Sequence, residues 1–234
     1  MNDQGSQNVT VVLVHAAWAD GSSWNKVIPP LQRLGLNVVS AQIPLTSLTD
    51  DVVAVQRVLG KVSGPLVLAA HSYGGAVITA AASGLSRVKA LVFIAAIVPD
   101  EGETVGQLFH RAEPHPKAPQ LVPDENGFLW MSADGFSNAV AHESTPEEIA
   151  LMTATQKPIA LKCLGEPMTR PGWREKPSWY TVAEKDRMIS PATQRFMAER
   201  IRAHVDSQAV DHTPIASAAG SVVRLIVRAV EGAR

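Results

Sequence analysis

The sequence predicts an α/β fold: a mostly parallel sheet of about six strands, flanked by helices, with a small helical cap. Three observations predict it. Short β-branched apolar runs alternate with helical stripes through the first hundred residues. The same alternation returns after residue 177. Between them, residues 100–177 change character, becoming rich in Pro, Gly, His and Glu. A structureless loop of that length is improbable inside a compact domain, so this stretch is expected to be a cap inserted in one domain that spans the whole chain. At 234 residues the chain suits one such domain, large enough to need no metal or disulfide.

Each element has its own signal. Val9 to Val14, "VTVVLV", is a strand buried on both faces. From Ser22 to Leu34 the residues Trp24, Val27, Ile28, Leu31 and Leu34 share a helical stripe, and Gly35 ends it. Asn37 to Ala41 is a second strand, and Asp50 to Val62 returns to helical spacing. Leu66 to Ala70 is a third strand, followed at once by an alanine-rich helix from Gly74; Lys89 to Ala96 is a fourth. Helical patches are expected in the cap at Phe128 to Val140 and Pro146 to Thr153. Trp179 to Ala183 and Val205 to Val210 complete the strands around a helix at Pro191 to Ala203. A last helix turns Val222, Val223, Ile226 and Val230 inward.

Composition excludes several classes of function. The chain is 46% hydrophobic and 18% charged, with a net charge of −1 and scattered Lys and Arg. That is not the footprint of a nucleic-acid or anionic-membrane binder. No apolar run approaches the ~20 residues of a membrane span, and "MNDQGSQ" carries no export signal. With one cysteine, Cys163, read as a packing residue, the expected compartment is a reducing cytoplasm. Cys163 has no partner at redox or zinc spacing, and His110 and His115 have too few partners at metal-ligand spacing.

The chemistry centres on Ala70-His71-Ser72-Tyr73-Gly74, a serine in a tight strand-to-helix turn. This is the form of a nucleophile elbow with its first glycine relaxed to alanine. So sharp a turn needs small residues two before and two after the serine, here Ala70 and Gly74, with Gly75 easing the helix onto the strand. A serine hydroxyl needs a base, and the base needs an orienting acid. "EKDRMISP" follows the strand "WYTVA", and "DHTP" follows the last strand. Asp186 and His212 therefore leave the carboxyl ends of parallel strands on the same sheet edge as Ser72. Glu184, Asp100 and Asp211 are the rival acids, and His71 is expected to pack under the elbow. The loop after the first strand, "VHAAWADGSSW", offers the amide of Ala17 to pair with that of Tyr73 as an oxyanion hole. Trp18 would flank the pocket, and among the cap residues Trp130 is the first candidate for its wall.

These segments, with "LVFIAAIVPDEGE", resemble the α/β-hydrolase superfamily, closest in organisation to its methylesterase and hydroxynitrile-lyase-like branch. The resemblance covers nearly the whole chain and is weakest in the cap. It implies an α/β-hydrolase fold and a cofactor-free serine hydrolase acting on carboxylic esters through Ser72, His212 and Asp186. The substrate is expected to be a small ester, apolar or aromatic in its acyl group. Two departures stand out. The usual His-Gly of the first loop is His15-Ala16, and the lysine that one group of the lyases places after the catalytic histidine is Thr213 here. The alternatives are a hydroxynitrile or carbon–carbon lyase using the same three residues, and a non-catalytic ligand-binding protein on this fold.

Overall fold

The computed structural model describes residues 9–233. Six strands, β1 (Thr10–Val14), β2 (Asn37–Ala41), β3 (Leu66–His71), β4 (Val88–Ile94), β7 (Ser178–Ala183) and β8 (His204–Gln208), form one sheet. Their order is β2-β1-β3-β4-β7-β8 and every pairing is parallel. The two remaining strands, β5 (Phe128–Leu129) and β6 (Ile159–Ala160), pair antiparallel outside it.

Both sheet faces are covered, so β1 and β3 are buried at every position and, apart from Thr10 and His71, apolar throughout. Successive side chains alternate between the two halves of the core. Val12, Val14, Leu68, Ala70 and Phe93 pack on the side of α2 (Leu48–Lys61), α3 (Gly74–Ala81) and α8 (Pro191–Arg200). Val11, Leu13, Val67, Ala69 and Val92 pack on the side of α1 (Ile28–Arg33) and α10 (Ala219–Gly232), where Trp24 and Ile226 join them.

Two helical expectations are redrawn. The stripe from Ser22 to Leu34 is broken into a 3-10 turn at Gly21–Trp24 and the short α1. Pro29 and Pro30 have no amide hydrogen, so they fit the first turn of a helix but cannot let one run through from Trp24. Trp24, Val27 and Leu31 still reach the core, whereas Leu34 is 61% exposed. In the segment between β4 and β7, the patch at Phe128 to Val140 begins as β5. It turns helical only at α5 (Ala133–Gly135), which runs into a π-helical turn at Phe136–Val140. Ser132 sets that start, because its side chain accepts from the amide of Gly135. The same segment holds α4 (Val105–Phe109), α6 (Pro146–Thr155) and α7 (Leu161–Gly165).

The chain runs outward from β1 to β2, then returns to the other side of β1 for β3. The loops leaving β1 and β3 therefore flank the point where strand order reverses, the crevice in which open parallel sheets bind ligands. The loops after β7 and β8 open on the same edge, and α9 (Pro214–Ser217) follows the latter.

Candidate active site

β3 ends at His71 and α3 starts at Gly74, so Ser72 and Tyr73 alone make the turn. Ser72 sits at φ 53°, a left-handed conformation that a serine adopts only under constraint. The constraint is visible in its hydrogen bonds. Its amide donates to Ile94 O at 3.1 Å, and its carbonyl accepts from the amides of Gly75 and Ile97, both at 3.0 Å. The small neighbours are a steric requirement. A Cβ on Gly74 would stand 2.7 Å from His15 O, and one on Gly75 would stand 2.5 Å from Ile97 O.

The structure brings Ser72, His212 and Asp186 together. His212 Nε2 lies 2.9 Å from Ser72 Oγ, and His212 Nδ1 lies 2.6 Å from Asp186 Oδ2. A carboxylate can only accept from Nδ1–H, so in the neutral imidazole the lone pair on Nε2 faces the serine hydroxyl. All three side chains are buried. Asp186 is itself held on every side. Its Oδ1 accepts from the amides of Met188 and Ile189 at 2.7 and 2.9 Å, and its Oδ2 also accepts from Gln194 Nε2 at 2.7 Å. The rival acids are engaged elsewhere: Asp100 pairs with Arg174 at 2.5 Å and Glu184 pairs with Arg195. Asp211 accepts from the amide and hydroxyl of Thr213, a local turn that fixes the chain just after His212.

Two further histidines brace the site. His71 lies under the elbow, donating from Nε2 to the backbone carbonyl of His212 at 2.6 Å. Burial drives its pKa down to about 3, so it stays neutral. His15 donates from Nδ1 to Ala16 O at 2.9 Å and accepts from the amide of Ile43 at Nε2 at 3.1 Å. Burial lowers its pKa to about 4. It shapes the loop that carries Ala17, and the next residue, Trp18, is held at φ 56°. Among the described residues the amides of Ala17 and Tyr73 are engaged by no other group. The Tyr73 ring is anchored separately, its hydroxyl donating to Asp51 Oδ2 at 2.6 Å.

Sequence reasoning did not single out Asp51 or Gln194. Both are fully buried polar residues on ordinary helical stripes, and no local motif sets them apart from surface residues. Asp51 also accepts from the amide of Leu45 at 2.7 Å and lies 3.8 Å from Cys163 Sγ. Its burial raises its pKa to about 6.

A cavity of about 190 Å³ opens beside His212 and Ala17. Trp18, Phe136, Met152 and Ile215 are among its apolar walls, and Trp18 Nε1 is fixed by donating to Leu129 O at 2.9 Å. Trp130 does not belong to this wall. It is 54% exposed, with its indole donating to Asp124 at 3.1 Å, because β5 turns alternate residues to opposite sides and sends Leu129 inward instead.

A family model described as "Alpha/beta hydrolase family" matches residues 11–225. An α/β hydrolase of Aspergillus novofumigatus is 26% identical over 92% of this chain and 94% of its own. Among solved structures, a pyrethroid hydrolase from Sphingobium faniae JZ-2 superposes with a TM-score of 0.82 at 21% identity, covering 96% of this chain and 98% of that one. A methylesterase from Arabidopsis gives 0.79 at 17% identity, covering 95% and 99%. At these identities the structural likeness speaks to the fold.

Proposed function

We propose a reaction for a chain that belongs to the alpha/beta hydrolase family: the hydrolysis of carboxylic esters through an acyl-enzyme on Ser72. The observation that carries this reading is the unbroken line from Asp186 through His212 to Ser72 Oγ, at 2.6 and 2.9 Å. His212 Nε2 takes the hydroxyl proton as Oγ attacks the ester carbonyl. The amides of Ala17 and Tyr73 receive the oxyanion, each worth roughly 3 kcal/mol of transition-state stabilisation. The imidazolium then protonates the leaving alcohol, while Asp186 holds its orientation and stabilises its charge. Water then attacks the acyl carbon while giving a proton to His212, and His212 returns that proton to Ser72 Oγ as the acyl–Oγ bond breaks and the acid leaves. Residues 100–177 act as the cap that closes over this site.

The names of the relatives fit the reading: a carbendazim-hydrolysing esterase of Nocardioides is 28% identical over 47% of this chain and 51% of its own. Thr213, where a cyanide-handling lysine would stand in one lyase group, gives its hydroxyl to Asp211 and brings no positive charge to the site.

The test is a turnover comparison. The protein should hydrolyse short p-nitrophenyl esters and leave mandelonitrile uncleaved. Ser72→Ala should lower kcat by roughly 10⁴- to 10⁶-fold with little change in melting temperature. Undiminished ester turnover by that variant would remove Ser72 from the mechanism, and cleavage of mandelonitrile in place of esters would replace the reaction.

A further inference from the structure

We infer that the cavity beside His212 is the leaving-group subsite, and that it takes a bulky apolar alcohol of about one aromatic ring. The inference rests on the ester-hydrolase reading above and reverses the expectation that the acyl group is the large apolar part.

The carbon of the tetrahedral intermediate carries four substituents. One is Ser72 Oγ. A second, the oxyanion, faces the amides of Ala17 and Tyr73. The third is the leaving oxygen, which must come within hydrogen-bond reach of His212 Nε2 to be protonated. The fourth is the acyl chain. The cavity is walled by His212 and the residues that follow it, Thr213, Ile215 and Ala216, together with Ala16, Ala17 and Trp18 of the loop after β1. Whatever hangs from the oxygen beside Nε2 therefore enters this space, and that is the alcohol.

The walls set its chemistry. Trp18, Phe136, Met152 and Ile215 are among the side chains that line the cavity, so much of its wall is apolar. Lys26 and Glu148 also line it, Lys26 Nζ donating to Glu148 Oε1 at 2.7 Å and to Ala216 O at 3.3 Å, with both charged side chains partly in solvent. An apolar cavity of about 150 Å³ is known to hold a benzene ring. The 190 Å³ here suits a ring and its linking methylene, and a methyl group would leave most of it unfilled. Contacts made to the alcohol before and during attack lower the barrier from free enzyme and ester, so the preference should read in kcat/KM.

Benzyl acetate and methyl phenylacetate test this directly. They are isomers with the ring on opposite sides of the ester, and both lose an unactivated primary alcohol. The expected result is a kcat/KM at least tenfold higher for benzyl acetate. Ala216→Phe, which projects a ring into the cavity, should pull that ratio down towards one. Equal rates, or faster methyl phenylacetate, overturn the subsite assignment while leaving ester hydrolysis standing. A ratio unmoved in a folded Ala216→Phe protein also overturns it. Turnover of neither isomer, nor of p-nitrophenyl acetate, removes the ester-hydrolase reading and this inference with it.

Discussion

At the scale of single residues, the site depends on groups that never meet substrate. In the proposed reaction Asp186 holds the base only if its carboxylate cannot swing away from His212, and Gln194 is the side chain that, with the amides of Met188 and Ile189, holds it in place. Gln194 Nε2 donates to Asp186 Oδ2 and to Ile189 O at 2.7 and 2.8 Å, while its Oε1 accepts from the amide of Ala183 at 3.0 Å. A hydrogen bond to a charged group contributes about 1.5–3 kcal/mol. Gln194→Leu should therefore lower kcat by about tenfold with KM within a factor of two, since binding is untouched and only the imidazole's orientation suffers. Steady-state kinetics on the folded variant check this. A raised KM with unchanged kcat would show that Gln194 serves the pocket and not the acid.

At the scale of elements, legibility followed the physics that produces each signal. β1, β3 and β4 are covered on both faces, so they read as largely apolar runs, and their alternation with helices points to a parallel sheet. Ser72, Asp186 and His212 were legible for the same reason: each stands just past the carboxyl end of a strand the pattern had already located. Trp130 was misplaced because β5 is two residues long, and a pattern that short does not say which side chain turns inward. The helix expected through Pro29 and Pro30 failed where backbone chemistry overrode a good apolar stripe. Asp51 was invisible because its meaning lies in tertiary partners. It ties α2 to Tyr73 in the elbow and to Leu45, itself at φ 63°, and no spacing along α2 reveals that.

At the scale of the whole molecule, the buried titratable groups set how stability responds to acid. His15 and His71 titrate in the fold near 4 and 3, below the ordinary histidine value, because burial disfavours their charged forms. The unfolded chain therefore binds more protons than the fold below about pH 6.5, and their contribution is lost as pH falls through that window. Asp51 acts with the opposite sign. Its folded pKa, raised to about 6 by burial, makes the fold bind more protons than the unfolded chain between about pH 4 and 6, so its penalty fades on acidification. At about 1.4 kcal/mol per unit, the two histidines outweigh the one carboxylate, and unfolding free energy should fall by a few kcal/mol from pH 6.5 to pH 4. Asp51→Asn removes the opposing term, so its loss over the same range should be steeper than that of the parent; a shallower one in denaturant titrations would contradict this assignment. The proposed reaction requires Ser72 to become covalently acylated, and acid-quench trapping reads that intermediate. Protein mixed with p-nitrophenyl acetate, quenched within the first turnover and digested should carry an acetyl group on the peptide containing Ser72, formed together with a burst of p-nitrophenolate. Steady hydrolysis with no adduct on that peptide, or with the adduct elsewhere, would rule out an acyl-enzyme on Ser72.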